Sequence, residues 1–132
     1  IPSETKMYWN CVDDLEGKNT RFELLKNWKN LVTNYLIFIE GDTRMTLQST
    51  SVKRINFAFL DGAHTFNDVM HEFSTIKDKQ YKGDMVVYDD YNFEKFPGIV
   101  KAVDEICSTQ GYSRIDLKSP SGRGYVVATK NR

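Results

Sequence analysis

Apolar runs of strand length alternate with helical patterns along this chain, and the early runs each stop at an acid. Met7–Val12 gives way to Asp13-Asp14, and Tyr35-Leu-Ile-Phe-Ile39 to Glu40-Gly41-Asp42. Ile55-Asn-Phe-Ala-Phe-Leu60 stops at Asp61-Gly62, and Asp84-Met-Val-Val-Tyr88 at Asp89-Asp90. A strand that is apolar on both faces must be covered on both faces. Alternation with helices therefore predicts an α/β fold with a mostly parallel sheet and helices on both faces.

The helical segments carry their own start and stop signals. Thr20-Arg-Phe-Glu23 has the capping-box spacing, followed by Leu24, Trp28 and Leu31 at helical intervals. Thr43 caps a short helix through Leu47, and Thr65 caps one whose Phe66, Val69, Met70, Phe73 and Ile76 share a face. Pro97 suits the first turn of a further helix, with Ile99, Val100, Val103, Ile106 and Cys107 inward and Gly111 at its end. Strands over Tyr112–Leu117 and Gly124–Thr129 flank the turn Ser119-Pro-Ser-Gly122, which predicts a C-terminal antiparallel hairpin.

At 132 residues the chain corresponds to a single domain over 1–132, large enough to form a core without metal or disulfide staples. Eighteen basic residues cancel eighteen acidic ones and no basic block occurs, so neither nucleic acid nor an anionic membrane is an expected partner. Cys11 and Cys107 lie in apolar runs and read as free thiols of a reducing, cytoplasmic compartment. No apolar run reaches membrane-spanning length, and Ile1-Pro2-Ser3-Glu4 resembles neither a signal peptide nor a natural start.

In an open α/β sheet the carboxyl ends of parallel strands share one rim, where ligands bind. The acids at 13, 14, 42, 61, 89 and 90 are expected on that rim. Each alone has an ordinary explanation, since Asp is common in turns and at helix starts. Together they are costly: Asp61, Asp89 and Asp90 follow strongly apolar strands, and half-buried carboxylates need a cation or hydrogen bonds. A hard divalent cation such as Mg²⁺ supplies that compensation. His64, three residues past Asp61, is either a helix-start residue touching the site or a ligand or general base. His71 reads as surface or packing, and Trp9, Tyr91 and Phe93 as core or pocket lining.

These residues resemble class I S-adenosylmethionine-dependent methyltransferases, specifically metal-dependent O-methyltransferases of the macrolide-sugar and catechol type, over about residues 7–130. Val12-Asp-Asp-Leu-Glu-Gly17 resembles the end of the family's second strand, which implies that Asp13 binds the cofactor ribose. Gly41-Asp42-Thr43 is similar to the third-strand end near the adenine. Phe59-Leu-Asp-Gly-Ala-His64 and Gly83-Asp-Met-Val-Val-Tyr-Asp-Asp-Tyr91 resemble the fourth- and fifth-strand motifs. They imply Asp61, Asp89 and Asp90 as metal ligands that hold a substrate hydroxyl in line with the sulfonium methyl. The sugar-type base position is occupied here by Ala63, and the catechol-type one by His64, which makes His64 the candidate base. Pro97–Val103 is like the helix that follows, and the final hairpin like strands six and seven.

The resemblance implies a Rossmann-like fold that is N-terminally incomplete, because the family's first strand and Gly-rich loop would precede Met7. It further implies S-adenosylmethionine and Mg²⁺ or a similar cation as cofactors, and a small-molecule or sugar hydroxyl as acceptor. The chain is then expected to be the C-terminal portion of a longer protein, or to have the gap in its sheet filled by a partner segment. That gap also makes homo-oligomerisation an expectation.

Three rival readings stand beside this one. Val12-Asp-Asp14 with Asp61 and Lys118 resembles a phosphoacceptor receiver domain, although no Pro follows Asp61 and an extra antiparallel strand remains. Asp89-Asp90 with a metal could serve a nucleotide-sugar-binding domain. A non-catalytic remnant of the methyltransferase fold would also carry these motifs.

Overall fold

A computed structural model describes residues 28–35, 37, 39, 41–62 and 64–132. The chain divides after Asp42 into two compact units. In the first, α1 spans Lys29–Tyr35 and continues the helical pattern of Trp28 and Leu31. Of the strand expected over Tyr35–Ile39, the described residues show none: Tyr35 closes α1, and Ile37 and Ile39 are exposed and outside any strand. A short apolar run has no intrinsic preference strong enough to choose strand over helix, and a strand also needs a ladder partner. The expected strand over 7–12 and the capping box at 20–23 lie outside the described residues.

The second unit contains α2 (Thr43–Ser49), β1 (Phe57–Leu60), α3 (Phe66–Lys77), β2 (Met85–Tyr88), α4 (Pro97–Thr109), β3 (Tyr112–Lys118) and β4 (Gly124–Lys130). Its sheet has the order β1-β2-β4-β3. β1 and β2 are parallel, joined by a crossover through α3, while β4 runs antiparallel to both β2 and β3. The predicted C-terminal hairpin is therefore present. Two strands start later than the apolar runs suggest, because the preceding residues have other partners. Ile55 donates its N–H to Lys79 O, and the Asp84 carboxylate closes a turn on Tyr81 N and pairs with Arg54.

The sheet's two faces are both apolar, as its sequence pattern requires. On one, Val86, Tyr88, Val126 and Ala128 are buried together with Val69, Phe73 and Ile76 of α3 and Ile99, Ala102, Val103 and Ile106 of α4. The helices described in this unit pack on that side. The other face carries Phe57, Phe59, Met85, Ile115 and Leu117, exposed by as much as 64% at Ile115.

The helix termini follow the sequence signals. Thr65 caps α3 by accepting from Asp68 N at 3.2 Å, and Pro97 opens α4. Gly111, with φ +74°, turns the chain out of α4 in a region closed to most side chains. No described helix is long and apolar enough to cross a membrane.

Candidate functional site

The site is assembled by strand register. Leu60 and Tyr88 face one another across the parallel pair, so β1 and β2 end level and the next residues, Asp61 and Asp89, come side by side. Asp89 N extends the pairing by donating to Leu60 O at 3.1 Å. Asp90 then turns the chain with φ +55°, a conformation Asp tolerates better than most residues, and Tyr91 N is caught by Gly124 O at 3.1 Å. The result brings one carboxylate oxygen each of Asp61, Asp89 and Asp90 to within 4.8 Å of one another.

Like charges this close must be paid for locally, and Asp61 and Asp89 answer in opposite directions. Burial and the neighbouring Asp89 charge push the Asp61 carboxyl above its ordinary range. Asp89 is only 2% exposed. Burial raises its pKa, but the opposing hydrogen bonds from Arg123 and from Asp90 N win, so the carboxyl is held below the usual range. Arg123 Nε donates to Asp89 Oδ1 at 3.0 Å and its terminal nitrogen to Oδ2, a bidentate fork. Asp90 N also donates to Asp89 Oδ1, at 2.7 Å.

His64 precedes the Thr65 cap, and its Nε2 lies 2.9 Å from Asp90 Oδ2. Its ring stacks on Phe96, with centroids 4.4 Å apart. Nδ1 has no hydrogen bond among the described residues. Gly98 permits this arrangement, since a Cβ there would stand 3.2 Å from His64 O and 2.8 Å from Phe66 N. A groove of about 350 Å³ opens beside the cluster, lined by Asp90, Asn92, Lys95, Phe96, Ser121 and Arg123. Tyr91 and Phe93 line a neighbouring groove of about 410 Å³.

Behind the acids, Glu72 of α3 is 3% exposed and accepts from Thr43 Oγ1 at 3.0 Å. Its burial raises its carboxyl above the ordinary range, against the pull of the Thr43 hydroxyl. A cavity of about 10 Å³ lies between Glu72, Tyr88 and the acid cluster, and the buried Tyr88 hydroxyl has no hydrogen-bond partner among the described residues.

Of the candidate residues, Asp61, Asp89, Asp90 and His64 are thus brought together. Asp13 and Ala63 lie outside the described residues, Asp42 belongs to the first unit, and the Thr43 hydroxyl is engaged by Glu72. His71 touches Gln48 and Arg44 O on the helix surface. Cys107 is a half-buried free thiol, its pKa raised by burial. Sequence reading missed Arg123, which contacts Asp89, and Glu72, which is buried behind the acids. Arg123 had one faint signal, a lone cation directly after the Gly122 turn.

The sheet order and the acids at the parallel strand ends define a Rossmann-like α/β protein with an acidic crevice. The chain belongs to the methyltransferase domain family, whose profile matches residues 5–91. No curated protein matches it at a significant level. Among solved structures it is similar to a Klebsiella pneumoniae protein classed provisionally as an O-methyltransferase, with TM-score 0.64 and 16% identity over 86% of this chain and 57% of that one. It is also similar to an O-methyltransferase from Bacillus cereus solved with SAH, with TM-score 0.57 and 14% identity over 81% of this chain and 56% of that one. A third is TomG from Streptomyces achromogenes, an O-methyltransferase of tomaymycin synthesis solved with SAM. Its TM-score is 0.56 and its identity 14%, over 89% of this chain and 57% of that one. At these identities the likeness is one of fold, and the chain spans a little over half the length of each of these structures.

Proposed function

We propose that this chain carries part of an S-adenosylmethionine-dependent O-methyltransferase that works in the cytoplasm with Mg²⁺ or a similar divalent cation. The acceptor is a hydroxyl of a small molecule or sugar. The observation that carries the reading is the convergence of Asp61, Asp89 and Asp90 to within 4.8 Å at two parallel strand ends of a methyltransferase domain. The solved neighbours bound to SAM and SAH support the cofactor.

The donor set suits such an ion: three carboxylates, all hard oxygen donors, one of them buried. When bound, such a cation would supply Lewis acidity that lowers the pKa of a substrate hydroxyl. Asp61, Asp89 and Asp90 would hold it. His64 is the candidate acceptor of the hydroxyl proton, with Asp90 on Nε2, Phe96 fixing its plane, and Nδ1 toward no described partner. The groove beside Asp90 offers the acceptor Asn92, Lys95 and Phe96. The remaining catalysis is proximity, since a direct displacement needs the oxygen held in line with the methyl group. The cofactor roles of Asp13, Asp42 and Thr43 rest on the family resemblance alone.

A second reading is favoured by one contact. The Arg123 fork already gives Asp89 a counter-charge, as a non-catalytic remnant of the fold would need. Calorimetry with S-adenosylhomocysteine, with and without Mg²⁺, separates the two. Mg²⁺ binding, strengthened by S-adenosylhomocysteine where the chain holds it, supports the enzyme; no Mg²⁺ binding supports the remnant and overturns the enzyme.

A further inference from the structure

Asp89 is the most buried of the three carboxylates and also the most fully occupied. Its Oδ1 accepts from Arg123 Nε at 3.0 Å and from Asp90 N at 2.7 Å, and its Oδ2 accepts from the terminal guanidinium nitrogen. A carboxylate with both oxygens in a bidentate fork has little lone-pair capacity left for an ion. The guanidinium itself is open to solvent. Its side chain is 50% exposed at the tip of the β3–β4 hairpin. The backbone there is fixed independently, by Ser119 N donating to Arg123 O at 2.8 Å and Arg123 N to Ser119 Oγ at 3.0 Å. The hairpin backbone therefore does not depend on the fork to Asp89. In the same position the guanidinium lies over the Tyr125 ring, 5.7 Å from its centroid.

We propose that Arg123 is a built-in competitor for the divalent cation: it neutralises Asp89 when no ion is present and must swing off the carboxylate for an ion to be bound. This rests on the reading of Asp61, Asp89 and Asp90 as a cation site. The exchange balances charge, because one fixed cation leaves the buried carboxylate as another arrives. It keeps Asp89 ionised in either state and sets the affinity of the site below that of three free carboxylates.

The test is Mn²⁺ titration of the 132-residue chain by calorimetry, with Arg123→Gln, Arg123→Lys and Asp61→Asn alongside. Removing a unit charge a few ångströms from a dication should tighten Mn²⁺ binding about tenfold in Arg123→Gln. Arg123→Lys, which keeps the charge but loses the fork, should fall between it and the native chain. A second measurement needs no variant to fold: in the native chain, saturating Mg²⁺ should move the Arg123 Nε–Hε NMR resonance and speed its exchange with water. Equal or weaker Mn²⁺ binding in folded Arg123→Gln, or a resonance unmoved at saturating Mg²⁺, overturns the competition while leaving the cation site standing. No Mn²⁺ binding by any of these chains removes the cation site and the proposal with it.

Discussion

His64 Nε2 and Asp90 Oδ2 are 2.9 Å apart, so the candidate base and a candidate metal ligand are already joined. A histidine bonded to a ligating carboxylate orients it, and loss of such a partner typically costs about 10–100-fold in metal affinity or activity. His64→Ala and His64→Phe are therefore both expected to weaken Mn²⁺ binding about tenfold, although the Phe variant retains a ring to stack on Phe96. Calorimetry on the two variants checks this. Native affinity in both would show that the ring does not position Asp90.

Gly124 is the tightest backbone approach near the site. A Cβ there would stand 2.1 Å from Tyr91 O, on the turn that carries Asp90. Gly124→Ala should lower stability by about 1–3 kcal/mol, the usual cost of forcing extra volume into a packed site. Thermal unfolding measures it. An unchanged midpoint would mean that the Asp90–Tyr91 turn moves freely.

The Tyr88 hydroxyl is buried without a partner among the described residues, and an unsatisfied buried polar group costs about 1–3 kcal/mol. Tyr88→Phe keeps the ring among Val86, Val126 and Ile99 and removes only that oxygen. The variant should be at least as stable as the native chain, by up to about 1 kcal/mol in denaturant unfolding. A clear loss of stability would reveal a bond to the hydroxyl.

Glu72 gives the fold a pH dependence whose sign is fixed by its raised pKa. The folded state holds this proton more tightly than the unfolded chain. The associated stability is present below the ordinary Glu pKa and is lost as pH rises through the raised folded value. Glu72→Gln, whose amide oxygen can still accept from Thr43, should remove that loss. The expected result is a smaller fall in unfolding midpoint for the variant than for the native chain as pH rises from about 4 to 7. Parallel curves would exclude Glu72 as the source.

The second unit was largely legible because its signals are local. Thr65, Pro97 and Gly111 mark helix ends by mechanisms that act within a turn, and the apolar runs before Asp61 and Asp89 became β1 and β2. The site was legible only in part. That Asp61, Asp89 and Asp90 share a rim follows from parallel pairing, but that they converge depends on both strands ending on one rung. Arg123 escaped notice because its partner lies 34 residues away, across a hairpin whose register no local pattern specifies. Glu72 escaped because a face traced by Phe66, Val69, Met70, Phe73 and Ile76 gives no warning that a carboxylate between them is equally buried. Tyr35 failed for the opposite reason, as a local apolar run that suits either structure.

The rung shared by Leu60 and Tyr88 makes the acid cluster a reporter of folding as well as a candidate site. Sliding β1 by one residue would shift Asp61 by about 3.3 Å and turn its strand inside out. Anyone moving this chemistry to another scaffold would have to transplant a rung, the left-handed turn at Asp90 and the hairpin tip that holds Arg123. Copying the three acids alone would carry over the charge and leave the geometry behind.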